Sequence, residues 1–418
     1  MNSTDAANGS SSNRAAPHIA QREPQPQPVR QQEFNRTAAG GNEGSAPATP
    51  RLLTVLIAAS GVRQSHSARE VASAITEEVH AALPSARVLR VPGAEGGAAF
   101  TESMVSLSGG TLESVSLLGP HGEVATGLLG LIGPPTDRTA VISVEEVDQL
   151  SRRRPESRDP TSASSRDTGQ MIIAALDRKV QRIIINCGDA GANDGGIGMA
   201  AMMGVRFYDA RRTEITEAGG LLRLAMVDMS HRDPRLEDVR IEVVANPSND
   251  LLGERGVTRV HGPRQGASEL QVLRLEQGLT RYAEVVLHSL GVDTPTLPGG
   301  GAAGGLAAGL VAFAGATLVS HADFLDHCPG LQSSLATADM VITTAAEDIV
   351  DGSARSVEEA ALTERESDPA PAWIASRARA KGVPVIAFTA KALLEAVRAP
   401  GAGPGAFRGL LGGWTGAF

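Results

Sequence analysis

The chain has 418 residues, of which 42% are hydrophobic and 20% charged, and its formal net charge is −9. That length suits two or three domains with a sizeable core, and the acidic balance argues against a general nucleic-acid binder. No apolar stretch reaches the ~18 residues of a membrane-spanning helix, and two cysteines, Cys187 and Cys328, cannot build a disulfide framework or a Cys-based zinc site.

Taken in chain order, residues 1–50 come first. They contain no Leu, Tyr, Trp, Cys or Lys, and Phe34 is their single aromatic residue. Such a segment buries too little apolar surface to offset its ordering entropy, so a disordered tail is expected. Leu52–Ala59 (LLTVLIAA) then reads as a buried strand, and Ser67 caps a helix whose Val71, Ala74, Ile75 and Val79 recur at helical spacing. Pro84 ends that helix, and Ala86–Val91 is a second strand. Leu112–Leu118 and Glu123–Leu131 read as an antiparallel pair about the turn Gly119–Gly122. Residues 151–166 are a polar connection.

A helix at Thr168–Lys179, a strand at Arg182–Asn186, a glycine-rich loop and a helix at Gly198–Gly204 follow. Val239–Ala245 is a strand and Ser268–Ser289 a long helix. Pro298–Gly305 is a glycine turn opening a helix at Leu306–Phe313, and Met340–Thr343 and Val383–Phe388 are strands. This alternation predicts an α/β fold. Its expected form is a discontinuous Rossmann-like parallel-sheet domain from 51–92 and 290–392. A second α+β domain, 93–289, is inserted within it, and 393–418 is a Gly-rich C-terminal tail.

Two glycine loops are candidates for chemistry. One runs Gly188-Asp-Ala-Gly-Ala-Asn-Asp-Gly-Gly-Ile-Gly198 between a strand and a helix, with Asn193 and Asp194 as polar handles. The other, Pro298-Gly-Gly-Gly-Ala-Ala-Gly-Gly305, also opens a helix. Each either lets backbone approach a phosphate at a helix N-terminus or serves tight packing that tolerates no side chain. No Walker P-loop occurs, and the loose match at Gly196–Ala201 to a dinucleotide fingerprint lies a full loop beyond its strand. His321, Asp323, His327 and Cys328 are spaced as ordinary polar residues of a helix rather than as a metal cluster.

The order of these pieces resembles the type II bacterial glycerate kinase family. Its pattern IAPDSFKGSLSA-x-EVA aligns with Ile57–Ala72, VP-x-ADGGEGT with Val91–Phe100, and TGPLG with Leu118–Gly122. RDP and TSRGTGELI align with Arg158–Pro160 and Ser164–Ile172, GGSATNDGGAGM with Gly188–Met199, FGPQKGAS with His261–Ser268, and PGAGAAGG with Pro298–Gly305. The resemblance implies ATP-dependent phosphorylation of glycerate or a related small hydroxy acid, with Mg²⁺. It implies Arg63, Glu95, Asn193 and Asp194 as catalytic residues, with Arg63 clamping phosphate and Glu95 and Asp194 positioning Mg²⁺ or the hydroxyl. Gly195 and Gly196 of the first loop, with Gly299, Gly300, Gly301, Gly304 and Gly305 of the second, would hold phosphates.

The charged positions depart from the family pattern. The Asp and Lys of DSFKGS are Ser60 and Arg63, DGGEG is Glu95–Ala99, and the Glu of ITGEGRLD is Ala345. Arg holds phosphate as a planar fork and not as the point charge of Lys. A second reading follows: a catalytically degenerate pseudokinase that binds a protein partner. The polar, Ser-rich residues 1–50 look like the leader of a bacterial type III secreted effector, and a plain disordered extension is the simpler alternative. The expected setting is cytoplasmic, or a host cell under the effector version, with no nucleic-acid or membrane partner.

Overall fold

The computed structural model describes residues 52–59, 68–93, 98–119, 123–147, 159–188, 192–345 and 370–389. The expected tails at 1–50 and 393–418 lie outside them. Residues buried on both sides of a strand need apolar side chains in both directions, and TVLIA at β1 (Thr54–Ala58) supplies them: all five are buried. β1 lies between β2 (Arg87–Arg90) and β11 (Met340–Ala345), and β12 (Val385–Thr389) completes a four-stranded sheet in the order β12-β11-β1-β2, parallel throughout. The sheet therefore draws on both ends of the described chain, as the discontinuous α/β expectation required. Val71, Ile75 and Val79 of α1 (Ala68–Ala82) are each 0% exposed and pack on Val55 and Ile57.

The second sheet has six strands, ordered β10-β9-β6-β5-β4-β3. β3 (Thr111–Leu118) and β4 (Val124–Ile132) form the expected antiparallel pair at one edge. β5 (Thr139–Ser143) runs antiparallel to β4 and parallel to β6 (Arg182–Asn186); β9 (Arg240–Ala245) and β10 (Thr317–Ser320) continue parallel. A short pair, β7 (Arg206–Asp209) and β8 (Leu224–Asp228), stands apart. β10 pairs with β9, and Leu306, Leu310 and Phe313 of α8 (Leu306–Ala314) belong to the core under the six-stranded sheet. Residues 306–320 thus go with the six-stranded sheet, beyond the boundary expected at 290, because their apolar face meets β9 rather than β1.

Side-chain alternation sorts the six-stranded sheet into two faces. Ala140, Ile142, Ile183 and Ile185 look toward α4 (Arg166–Asp177), α5 (Ile197–Met202), α7 (Glu269–Leu290) and α8. Val141, Ile184 and Val244 look the other way, into a core shared with the four-stranded sheet's Leu56, Leu89 and Val341. Between the sheets lie α2 (Ala98–Ser108), α9 (His321–His327), α10 (Leu331–Thr337) and α11 (Ala370–Ala380). α7 begins where its sequence says it should: Ser268 and Gln271 form a capping box, each side chain satisfying the other's backbone N–H.

Candidate active site

Open parallel sheets bind ligands outside the carboxyl ends of their strands. Here the two sheets meet at those ends. His321, the residue after β10, lies near the backbone of Pro92, just past β2, and stacks on Phe324 with ring centroids 6.2 Å apart. Burial pushes the His321 imidazole down to about 4, the Pro92 contact opposing it, so the ring is neutral at neutral pH.

On the inter-sheet face of the six-stranded sheet, Val141 and Ile184 are followed two residues later by Ser143 and Asn186, which pair in register. The face turns polar again at its carboxyl end, after Val141 and Ile184. Ser143 is 0% exposed and Asn186 1%, yet neither Ser143 Oγ nor Asn186 Nδ2 has a hydrogen-bond partner. Buried polar groups are nearly always satisfied, so two side by side without protein partners stand out.

The loop after β6 behaves differently. Asp194 is fully buried, and its Oδ2 accepts from Ser165 N at 2.8 Å, Ser165 Oγ at 2.9 Å and Gly198 N at 3.1 Å, while Oδ1 accepts from Gly196 N at 2.9 Å. Burial raises its carboxyl above the usual range, and these four bonds, which favour the ionised form, oppose the rise. Beside it, Asn193 donates through Nδ2 to Gln265 Oε1, and its own Oδ1 is buried without a partner. The Tyr282 ring closes the space above Gly195; its hydroxyl, also unpartnered, is raised by burial and the Asp194 charge.

The two glycine loops pack against each other. Gly195 N–H donates to the Gly304 carbonyl at 3.1 Å, and a Cβ on Gly304 would stand 1.6 Å from the Ala192 carbonyl oxygen. On Gly301 it would stand 2.1 Å from the Asp250 carbonyl, and on Gly309 2.4 Å from that of Gly195. Gly195, Gly196, Gly299, Gly300, Gly301, Gly304 and Gly305 are all buried. Of the two readings open for these loops, the geometry favours close backbone packing: what the missing side chains admit is protein.

At the amino end of α4 lies a small concavity, partly open to solvent and lined by Ser164, Ser165, Asp167, Thr168 and Ala303 among others. Arg166 occupies the first position of α4, and its Nε is buried without a hydrogen-bond partner. A cation in a helix's first turn opposes the macrodipole by about 0.3–1 kcal/mol. Helix stability therefore does not account for its position.

Of the residues picked from sequence, Arg63 and Glu95 lie outside the described residues. Asn193 and Asp194 sit beside each other with the glycines they were grouped with. The histidine group resolves as a helix, α9, and among the described residues no three His, Cys, Asp or Glu side chains are placed to hold a metal. Both cysteines are free and buried, and burial pushes each thiol up to about 12. Sequence reasoning missed Ser143, Asn186, Arg166 and Gln265. Arg166 and Gln265 were visible as members of motifs already aligned; Ser143 and Asn186 are visible only as the last residues of neighbouring parallel strands.

Comparison with known proteins agrees with this geometry. The model of the glycerate kinase family matches residues 55–410. Glycerate 2-kinase of Escherichia coli K12 is 37% identical over 292 residues, covering 70% of this chain and 76% of that protein. Glycerate kinase of Halalkalibacterium halodurans is 34% identical over 336 residues, covering 80% and 84%. A crystal structure of a Salmonella typhimurium LT2 protein described as glycerate kinase 2 superposes with a TM-score of 0.64 at 36% identity, over 80% of this chain and 86% of that one.

Proposed function

The chain belongs to the glycerate kinase family, and from that premise we propose that it transfers the γ-phosphoryl group of ATP to a hydroxyl of glycerate or a closely related small hydroxy acid. The observation that carries the reading is the family match across residues 55–410, which spans every strand of both sheets but the first residue of β1. The name of the Escherichia coli relative gives position 2 as its site of transfer. We take the 2-hydroxyl as the acceptor here.

Phosphoryl transfer asks a protein for positioning and charge more than for covalent chemistry. The cations we assign to the anionic groups are Arg63 and Arg166. Asp194 does not fit a metal ligand, because both oxygens are taken by the hydrogen bonds that tie Gly196, Gly198 and Ser165 together. Asn193 and Asp194 instead hold the loop after β6 in shape beside the site. Mg²⁺ keeps several waters and needs only one or two protein carboxylates besides nucleotide phosphates, and Glu95 is the carboxylate the sequence offers it. No step is derived through the metal.

When bound, ATP supplies the phosphoryl group; the chain's residues bind the acid and orient its hydroxyl. The protein acts in the cytoplasm on a small molecule, and no observation favours the degenerate, partner-binding reading. Among the described residues no helix is long and apolar enough to cross a membrane.

The test is ADP release by the full chain with ATP, Mg²⁺ and D-glycerate, the product's phosphate position being read by NMR. Turnover of ~1–100 s⁻¹ is expected for a kinase. Arg166→Ala should lower kcat/KM by roughly 10²-fold, the usual effect of losing one preorganised contact to a developing charge. No ADP release with glycerate or any other short hydroxy acid overturns the reading.

A further inference from the structure

We propose that Ser143 and Asn186 form a neutral subsite for the hydroxyl of the acid that is not phosphorylated, and so set selectivity for a dihydroxy acid over a monohydroxy one. The inference rests on the phosphoryl-transfer reading above. Both residues close parallel strands, β5 and β6, directly after the apolar pair Val141 and Ile184 on the face toward the layer between the sheets, and they pair in register on that face. They are 0% and 1% exposed, and Ser143 Oγ and Asn186 Nδ2 lack partners.

The chemistry of the two groups selects their ligand. An amide N–H only donates, and a serine hydroxyl both donates and accepts. A ligand hydroxyl satisfies both at once, accepting from Asn186 Nδ2 and donating to Ser143 Oγ. A carboxylate or phosphate fits less well, since a buried anion needs a compensating cation. The cation on the same face of β6, Arg182, stands four residues earlier, toward the amino end, and is bonded to Glu242. The anionic end of the acid therefore lies elsewhere, toward the arginines assigned to it. Glycerate has a second hydroxyl to offer; lactate and 3-hydroxypropionate have one hydroxyl each.

The experiment compares kcat/KM for D-glycerate, D-lactate and 3-hydroxypropionate in the full-length wild type, Ser143→Ala, Ser143→Thr and Asn186→Leu, with ATP and Mg²⁺ throughout. Sites that hydrogen-bond a substrate hydroxyl reject the analogue lacking it by up to ~10⁴–10⁵, so the wild type should prefer glycerate by at least ~10²-fold. Ser143→Ala and Asn186→Leu should each cut that preference tenfold or more, through a raised KM for glycerate, with the monohydroxy acids little changed. Ser143→Thr, which keeps the hydroxyl, should retain it.

A purely structural pair would instead move the unfolding midpoint and leave the ratio alone. Glycerate turnover with an unchanged ratio overturns the subsite and leaves the kinase reading standing. No ADP release by the wild type with any of the acids overturns both. If Asn186→Leu does not fold, Ser143→Ala, which deletes one oxygen, decides the matter.

Discussion

The loop from Ala192 to Gly198 and the strand ends at Ser143 and Asn186 are neighbours in the fold and opposites in chemistry. In the loop, a charged side chain is matched four times over: every oxygen of Asp194 has a donor. At the strand ends, two neutral side chains are matched by nothing. The charged group, which looks catalytic in the sequence, is bound up in holding backbone together. The neutral groups, which look unremarked in the sequence, have no hydrogen-bond partner in the protein. Charge alone is thus a poor guide to which residues face a ligand, and satisfaction of hydrogen bonds is a better one.

If the loop is scaffold, its variants should fail by unfolding and not by kinetics. Asp194→Ala strands four buried donors at about 1 kcal/mol or more apiece, so denaturant unfolding should show a loss of about 4 kcal/mol or more. A variant of unchanged stability that is catalytically dead would reverse the comparison and return Asp194 to the chemistry. Gly304→Ala should cost roughly 3–4 kcal/mol, because its Cβ would stand 1.6 Å from the Ala192 carbonyl and its φ is +68°.

His321 sharpens the contrast through pH. Its ring titrates near 4 in the fold against 6.5 in the open chain. As pH falls below 6.5 the unfolded chain takes up a proton that the native one refuses, so stability declines from 6.5 down to about 4 and then levels off, by about 3 kcal/mol in all. Urea midpoints across that window should lose this component of their slope in His321→Gln. The smallest effect is a control: Gly253→Ala, where φ is +95° but nothing lies within 4 Å, should cost only about 1 kcal/mol.

Much of the fold was legible because its strongest signals are periodic. LLTVLIAA is too apolar and too short for anything but a buried strand, and α7 carries a capping box at the expected residue. β5 was not legible: TAVIS is five residues after a polar turn, and only its pairing between β4 and β6 makes it a strand. β10 was lost for a like reason, since TLVS is only four residues and its pairing with β9 makes it a strand. The glycine turn at Pro298–Gly305 packs on the loop after β6, and α8 and β10 go with the second sheet rather than the first. Within the site, aligned motifs located the loop. They could not say that Asp194 is spent, because that depends on Ser165 arriving from another helix.

The first sheet's composition has a consequence for how the chain is made. β1 is central in its sheet and its partner β11 begins at Met340. At ribosomal speeds of ~5–20 residues per second, the roughly 280 residues between them keep β1 waiting for about 15–60 s. For that interval the TVLIA strand has only β2 and α1 for cover, while the six-stranded body, contiguous from β3 to β10, can assemble ahead of it. Newborn chains therefore pass through a stage with a finished rear half and an open front edge, and chaperone dependence should track the length of that wait.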